Sequence, residues 1–273
     1  MADKMSVLFD ASKCTACQAC SIACKQWNGL PPEKTTHTRS YQTHQNFTAK
    51  TWSFITFNEV WENNKMEWLF LKKQCMHCSD AACERACNNG AISHTDQGFV
   101  VIDKKKCIGC GYCVANCPFN VPRVDPQTNK SCKCTGCPDR VSNGLRPACV
   151  QTCQPEALMY GSRNEIMATA KKRLEQIKPR YPQAMLYDAP KLGGMNFTSI
   201  LLRKPDYYQL PNDPTVPASI SFWKDIIRPV GQIMNIGAIV GFAGIYAVSK
   251  VIGRKHNDHQ KQQEGGKSDA HRS

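Results

Sequence analysis

The sequence predicts an α+β fold in which two similar cysteine-rich modules are followed by one C-terminal transmembrane helix. Three observations predict this class: sixteen of the 17 cysteines fall into four spaced groups, short β-like runs flank those groups, and residues 229–249 are mostly apolar and carry no formal charge. We expect a cysteine domain at 1–161, a helix with an irregular covering segment at 162–228, the transmembrane helix at 229–251 and a polar tail at 252–273.

The composition indicates a folded, metal-binding chain. Apolar residues make up 41% of the sequence, which is enough for a core and excludes a disordered chain. The opening residues MADKMSVLFD contain neither an apolar run nor a twin arginine, so we expect no secretory signal there. Without a signal for export to an oxidising compartment, spaced thiols indicate metal ligands rather than disulfides. The formal charge of +13 counts thiols as neutral, and thiolate-bound clusters would offset much of it.

The cysteines repeat one spacing pattern four times, which makes them an internal repeat. Groups one and three read C-x2-C-x2-C-x3-C, group two reads C-x2-C-x4-C-x3-C, and group four reads C-x2-C-x11-C-x3-C. In chain order the groups are Cys14, Cys17, Cys20 and Cys24; Cys75, Cys78, Cys83 and Cys87; Cys107, Cys110, Cys113 and Cys117; and Cys134, Cys137, Cys149 and Cys153.

The stretch SCKCTGC offers two candidates for the first thiol of group four. Cys134 repeats the x2 spacing to Cys137, whereas Cys132 breaks it. We therefore predict that Cys134 is a ligand and that Cys132 is the spare thiol and not a ligand. A register that uses Cys132 is the alternative, because group four has the loosest spacing.

The spacing favours 4Fe–4S clusters over zinc. A C-x2-C-x2-C loop supplies three thiolates to one cluster, and the cysteine three residues further on ligates the other cluster of a pair. Pro118, directly after Cys117, belongs to the same pattern. Zinc, the alternative, usually takes separated pairs of ligands. Four groups therefore predict four 4Fe–4S clusters in two ferredoxin-like modules. His77 is an alternative ligand, but its group already has four thiols, so we expect it to pack or to support a cluster.

Short β-like runs beside the groups predict the strands. SVLFD precedes group one and GFVVID precedes group three, while GAISH follows group two and EALMYG follows group four. We expect AISHTDQGFVVID to form a hairpin, and VLFD to pair near ALMYG across the chain. Another hairpin is expected in TWSFITFNEVWENNKMEWLFLK, with its turn at Asn63 and Asn64.

A helix is predicted over SRNEIMATAKKRLEQI, residues 162–177. Ser162 and Glu165 make a capping-box pattern at its start. The apolar positions at helical spacing are Ile166, Ala170, Leu174 and Ile177. The proline-rich residues 183–220 are expected to be irregular and to cover the cysteine domain. A mobile linker is the alternative there, which the apolar run MNFTSILL disfavours.

Residues 229–249 predict a membrane span, because 21 residues of helix are about 31 Å long, which matches one bilayer core. A buried helix of a soluble domain is the alternative. The basic residues within twenty positions after the span are Lys250, Arg254, Lys255, Lys261 and Lys267, and those before it are Lys224 and Arg228. The positive-inside rule therefore predicts a cytoplasmic tail and a cysteine domain on the extracytoplasmic, periplasmic side.

The sequence resembles the iron–sulfur (β) subunit of membrane-bound formate dehydrogenase, one of the four-cluster electron-transfer subunits of molybdenum or tungsten oxidoreductases. The resemblance covers nearly the whole chain except the tail. It rests on CKQWN, CMHC, CPFNVPR, KCTGCPDRVSNGLRPACVQTC, LYDAPKLGGMNFTSILLRKPDYYQLP and FWKDIIRPVG. The cysteine layout is shared by several sister subunits, and residues 186–230 are the more specific part.

The resemblance also implies which thiols share a cluster. The four implied sets are Cys14, Cys17 and Cys20 with Cys153; Cys134, Cys137 and Cys149 with Cys24; Cys75, Cys78 and Cys83 with Cys117; and Cys107, Cys110 and Cys113 with Cys87. Asn88 and Gln154 depart from the family pattern, which commonly has proline after the fourth cysteine.

The resemblance implies a non-catalytic subunit that carries electrons from a catalytic, formate-oxidising molybdenum or tungsten subunit. The expected partners on the other side are a membrane cytochrome b-type subunit with its quinone, and membrane lipid. Export would depend on a signal carried by a partner. The same kind of subunit serving a hydrogenase or a sulfur-compound reductase is the first alternative. A basic, metal-containing nucleic-acid-binding protein is the second, and the predicted span argues against it, so we expect no nucleic-acid partner.

Overall fold

Ten strands and seven α-helices make up the structure, a computed structural model that describes residues 4–35, 41–42, 44–62, 64–231, 234, 237 and 239–250. The strands are β1 (Met5–Asp10), β2 (Phe54–Glu62), β3 (Lys65–Lys73), β4 (Ile92–His94), β5 (Val100–Ile102), β6 (Arg123–Asp125), β7 (Lys130–Cys132), β8 (Leu158–Ser162), β9 (Met185–Tyr187) and β10 (Phe197–Leu201). The helices are α1 (Ala19–Trp27), α2 (Ala82–Arg85), α3 (Tyr112–Ala115), α4 (Pro138–Val141), α5 (Ala148–Gln151), α6 (Arg163–Ile177) and α7 (Ala218–Phe222).

The largest sheet joins the start of the chain to its later half, with the strand order β8-β1-β10-β9. β1 pairs antiparallel with β8, so that Val7 lies opposite Tyr160 and Leu8 opposite Met159. This confirms the predicted pairing of VLFD with ALMYG, which brings the end of group four beside the start of group one. On its other side β1 runs parallel to β10, and β9 pairs antiparallel with β10.

The prediction that residues 183–220 are irregular is wrong for β9 and β10, which are strands of the largest sheet. All five residues of β10 are buried. A strand covered on both faces loses the alternation of polar and apolar residues that marks a half-exposed strand. Thr198 and Ser199 interrupt the apolar run as well, so the sequence pattern hides this strand. Single 3₁₀ turns at Pro190–Leu192 and Pro205–Tyr208 belong to the same segment.

Three antiparallel hairpins form the remaining two-stranded sheets. β2 and β3 pair from Phe54 opposite Lys73 to Glu62 opposite Lys65, which confirms the hairpin predicted there. Of its two turn residues, Asn64 has a φ of 60°, and position 63 lies outside the described residues. β4 and β5 form the second predicted hairpin. The third, β6 with β7, was not predicted.

The predicted helix at 162–177 is confirmed as α6, and its capping box is present at Ser162 and Glu165. Ile166 and Ala170 are buried on its inner face and belong to the same apolar core as β1. Arg173 of α6 donates to Asp10 of β1 at 2.8 Å. The helix therefore covers the strand that leads into group one.

The chain divides into two units at residue 220. In the second unit Trp223–Ile227 form a π-helical turn, and the described residues from 228 to 250 are helical. Within the described part of the chain, no helix is both long enough and apolar enough to span a lipid bilayer. The predicted span at 229–251 includes positions 232–233, 235–236, 238 and 251, and these, like the predicted tail at 252–273, lie outside the described residues.

Candidate iron–sulfur sites

The four cysteine groups repeat one backbone turn as well as one spacing. In each C-x2-C segment the residue before the second cysteine has a positive φ: 54° at Ala16, 47° at His77, 75° at Gly109 and 75° at Gly136. In group one this turn directs the Ala16 amide to the sulfur of Cys14, at 3.5 Å. Repetition of the turn at four separate places indicates that each segment presents its thiols to a similar group.

The structure brings the thiols together in the sets that the resemblance implies. We call them thiol set A (Cys14, Cys17, Cys20, Cys153), set B (Cys24, Cys134, Cys137, Cys149), set C (Cys75, Cys78, Cys83, Cys117) and set D (Cys87, Cys107, Cys110, Cys113). Sets A, B and D each line one cavity with all four of their sulfur-bearing residues. In set C, burial raises the pKa of Cys78, and the charges of its three set partners raise it further, which places the four thiols side by side. The assignment of these residues as ligands stays a prediction.

The shape of the sets fits a metal cluster better than a single ion. A zinc ion needs its sulfur ligands within about 2.3 Å of one point. Four thiols around a cavity instead match a group with several irons, which takes one thiolate at each corner.

Burial raises the pKa of several of the candidate ligand thiols. It raises the pKa of Cys14 to about 11 and that of Cys149 to about 12. In Cys149 the charge of Lys72 lowers the pKa and those of Cys20 and Cys24 raise it. Because iron binds the thiolate, each of these groups must lose its proton when a cluster forms.

The four sets lie in the order A, B, C, D. Each set has one thiol close to a thiol of the neighbouring set. Burial raises the pKa of one thiol of the pair, and the negative charge of the other as a thiolate raises it further. The thiol pairs that carry these contacts are Cys20 with Cys149, Cys75 with Cys134, and Cys113 with Cys83. The two exposed thiols are Cys17 of set A and Cys110 of set D, so each end of the series reaches the surface.

Two buried lysines stand between neighbouring sets. Lys72 is 0% exposed and Lys133 is 3% exposed. Burial opposes the charge of Lys72, but thiols of sets A and B outweigh it and raise its pKa. Thiols of sets B and C raise the pKa of Lys133 in the same way. Each lysine thus places a positive charge between two candidate cluster sites.

Sequence reasoning missed both lysines as parts of the site. The only signal was their position, three residues before Cys75 and directly before Cys134. Their complete burial results from packing between distant segments, which local sequence does not report. Ser131 was missed for the same reason. Its amide donates to Cys107 at 3.3 Å, and its hydroxyl lies 3.1 Å from the sulfur of Cys113.

Cys132 and Cys134 lie in different surroundings. Cys134 lines the cavity of set B. Cys132 ends β7, is buried, and has the ammonium of Lys104 at 2.9 Å from its sulfur. The two departures from the family pattern, Asn88 and Gln154, occupy turns directly after the last cysteines of groups two and four.

Comparisons with known proteins identify iron–sulfur proteins as relatives of this chain. A family model described as a 4Fe-4S dicluster domain matches residues 66–163. The formate dehydrogenase iron-sulfur subunit of Haemophilus influenzae is 39% identical over 271 residues, which are 97% of this chain and 87% of the relative. The formate dehydrogenase-O iron-sulfur subunit of Escherichia coli is 39% identical over 90% of this chain and 82% of the relative.

A relative from another enzyme system is also similar over a smaller part of the chain. A subunit of the anaerobic dimethyl sulfoxide reductase of Escherichia coli is 36% identical over 166 residues, which are 61% of this chain and 77% of the relative. The similarity to the formate dehydrogenase subunits therefore covers 90–97% of this chain, against 61% for the dimethyl sulfoxide reductase subunit.

Proposed function

Because this chain belongs to the family of formate dehydrogenase iron–sulfur subunits, we propose that it carries electrons from a formate-oxidising catalytic subunit toward a membrane cytochrome b and quinone. The chain is an electron-transfer subunit that binds 4Fe–4S clusters, and it is not the catalytic subunit. Each cluster, when bound, accepts and releases one electron at a time. The chain's own residues hold the clusters, offset their charge and set their order.

The observation that carries the proposal is the series of thiol sets A to D. Sixteen thiols in four sets support four 4Fe–4S clusters, and the pairing of groups one with four and two with three supports two ferredoxin-like modules. The exposed thiols at the two ends, Cys17 and Cys110, give one place for electrons to enter and another for them to leave. The lysines between sets reduce the repulsion between neighbouring cluster charges.

The proposed partners are a catalytic molybdenum or tungsten subunit, a membrane cytochrome b-type subunit and membrane lipid. The names of the most similar relatives support the catalytic partner. The similarity to a dimethyl sulfoxide reductase subunit supports a sulfur-compound reductase as the alternative partner system, but over less of the chain. Co-purification in detergent separates the two, since only the first system yields a subunit that oxidises formate.

Iron content tests the proposed number of clusters. Four 4Fe–4S clusters amount to about sixteen irons per chain. Anaerobically purified protein is expected to reach this value with little zinc, by elemental analysis against quantitative amino-acid analysis. A reproducible value near eight irons, with all clusters intact by electron paramagnetic resonance (EPR), would contradict the four-cluster proposal.

We also propose that residues 229–251 anchor the chain in a membrane, with the cluster domain on the periplasmic side and the tail in the cytoplasm. Large apolar side chains at the described positions of this region are exposed, among them Ile239, Phe242 and Ile245. The excess of basic residues after the span supports the orientation. A reporter enzyme that works only outside the cytoplasm is expected to be inactive when fused after Ser273.

The matched control for this orientation is the same reporter fused after Arg228, before the span, in cells that make the partner subunits. It is expected to be active. Activity of the fusion after Ser273 would overturn the proposed orientation.

A further inference from the structure

His77 is a buried polar side chain inside the CMHC loop, and it is only 1% exposed. It occupies the positive-φ position of the C-x2-C turn, where the other three groups have Ala16, Gly109 and Gly136. Group two is therefore the one group with a large polar side chain at this turn. The turn itself does not need a ring, so the ring calls for another explanation.

A hydrogen bond decides which ring nitrogen of His77 carries the proton. The Val100 amide donates to Nδ1 at 2.9 Å, so Nδ1 is an acceptor. A ring nitrogen that accepts a hydrogen bond carries no proton, so the ring is a neutral imidazole. A neutral imidazole has one proton, which must then be on Nε2. The side chain presents a fixed N–H donor.

That donor has no partner among the described residues, although it is buried. The ring packs edge-on against Phe99, with centroids 5.1 Å apart, and lines the cavity of thiol set B together with Phe99 and Lys72. An ammonium group cannot accept a hydrogen bond, a phenyl ring accepts one only weakly, and no other described side chain that lines the cavity accepts from Nε2. Burial of an unpaired donor is unfavourable, so an acceptor in the cavity is what the site lacks.

We propose that Nε2–H of His77 donates a hydrogen bond to the cluster held by thiol set B, at a sulfide or a ligand thiolate. The inference rests on the proposed function, since it needs a cluster in that cavity. A hydrogen bond to sulfur stabilises the reduced, more negative cluster and raises its reduction potential. A residue within the binding loop of set C thereby tunes the cluster of set B.

Two variants separate the donor from the structural role of the ring. In His77→Asn the side-chain oxygen replaces Nδ1 as acceptor for Val100 and the Nε2 donor is lost, and asparagine tolerates the positive φ. In His77→Gln the longer side chain brings an N–H toward the position of Nε2, and the contact with Val100 is lost. Both are made in the full chain, purified anaerobically with its partner subunits, and titrated by EPR-monitored redox potentiometry.

The expected result is a lower midpoint potential for one cluster in His77→Asn and a value near that of the wild type in His77→Gln, with unchanged iron content in both. The shifted signal should be the one that Cys137→Ser alters, which assigns it to set B. In wild-type protein with ¹⁵N-labelled histidine, that signal should show coupling to a nitrogen and an exchangeable proton, and His77→Asn should lose both.

Equal shifts in the two variants would overturn the inference, because they would show a structural role of the ring. No shift in either variant, or a shift confined to the cluster of set C, would also overturn it. An iron content near eight in the wild type would contradict the proposed four clusters, a separate failure that does not depend on either His77 variant.

Discussion

At the scale of single residues, the site is a balance between buried thiols and buried cations. Lys72 donates to the Gln74 side chain, and Lys133 donates to the Val100 and Cys134 carbonyls and to the sulfur of Cys75. A negatively charged cluster beside each lysine would supply the counter-charge for its buried ammonium group. A buried charge that loses its counter-charge costs about 3–5 kcal/mol. We therefore infer that the fold depends on bound clusters for its full stability.

The choice between Cys132 and Cys134 is a prediction at this scale. Cys134→Ser is expected to remove or convert the cluster of set B, because it deletes one of four thiolates. Cys132→Ser is expected to keep the full iron content, because a free buried cysteine acts as a small apolar group. Iron analysis and low-temperature EPR on both variants check this. Loss of a cluster in Cys132→Ser with an intact Cys134→Ser would show that the register is the other one.

Single residues also show how far sequence reasoning reaches. The sixteen thiols of sets A to D were predicted because ligand spacing is a local property of the chain. The part that His77 plays stayed open between packing and support of a cluster, because its neighbours Val100 and Phe99 come from β5 and the residue before it. Burial and the tautomer are set by such distant contacts, so spacing alone does not reveal them.

At the scale of elements, the repeated C-x2-C turn is the unit that builds the sites. Its left-handed residue is alanine in group one, so a methyl group is compatible with the turn itself. Gly136 in group four has a different surrounding. A Cβ there would lie 2.5 Å from the ring of Phe99, which is only 1% exposed. Close packing of Phe99, just before β5, against this loop requires glycine.

Gly136→Ala and Gly144→Ala form a matched pair that tests this element. Both glycines have a positive φ, +75° and +72°, but a Cβ at Gly144 would meet nothing within 4 Å. Gly144→Ala is expected to cost only the backbone strain, about 1–2 kcal/mol. Gly136→Ala is expected to cost clearly more and to reduce iron content, because the loop between Cys134 and Cys137 must shift. Thermal unfolding and iron analysis measure both; equal effects would contradict the packing argument.

The elements differ in how visible they are in the sequence. Helix α6 was predicted with its capping box, because helical spacing and a polar cap are local signals. The hairpins β2–β3 and β4–β5 were predicted from paired apolar runs around polar turns. β10 was not predicted, because it is buried on both faces and pairs in parallel with β1, which lies at the other end of the cluster domain's sequence.

At the scale of the whole molecule, part of the positive formal charge of +13 has a defined position. Lys72 and Lys133 lie between the thiol sets, where they face the negative charge of the clusters. The series A to D ends in an exposed thiol on either side, which suits a subunit placed between an electron donor and an electron acceptor. We propose from the family relationship that the electron donor is a formate-oxidising subunit.

The most direct test of electron transfer from formate to this chain is the reduction of its clusters by formate in the complex that purifies with it. The complex is oxidised, mixed anaerobically with formate, frozen and examined by low-temperature EPR, with dithionite as the reference for full reduction. We predict that formate produces the cluster signals and that a quinone analogue added afterwards removes them. Clusters that are reduced by dithionite but stay oxidised with formate, while the same preparation oxidises formate with an artificial dye, would contradict electron transfer from formate to this chain.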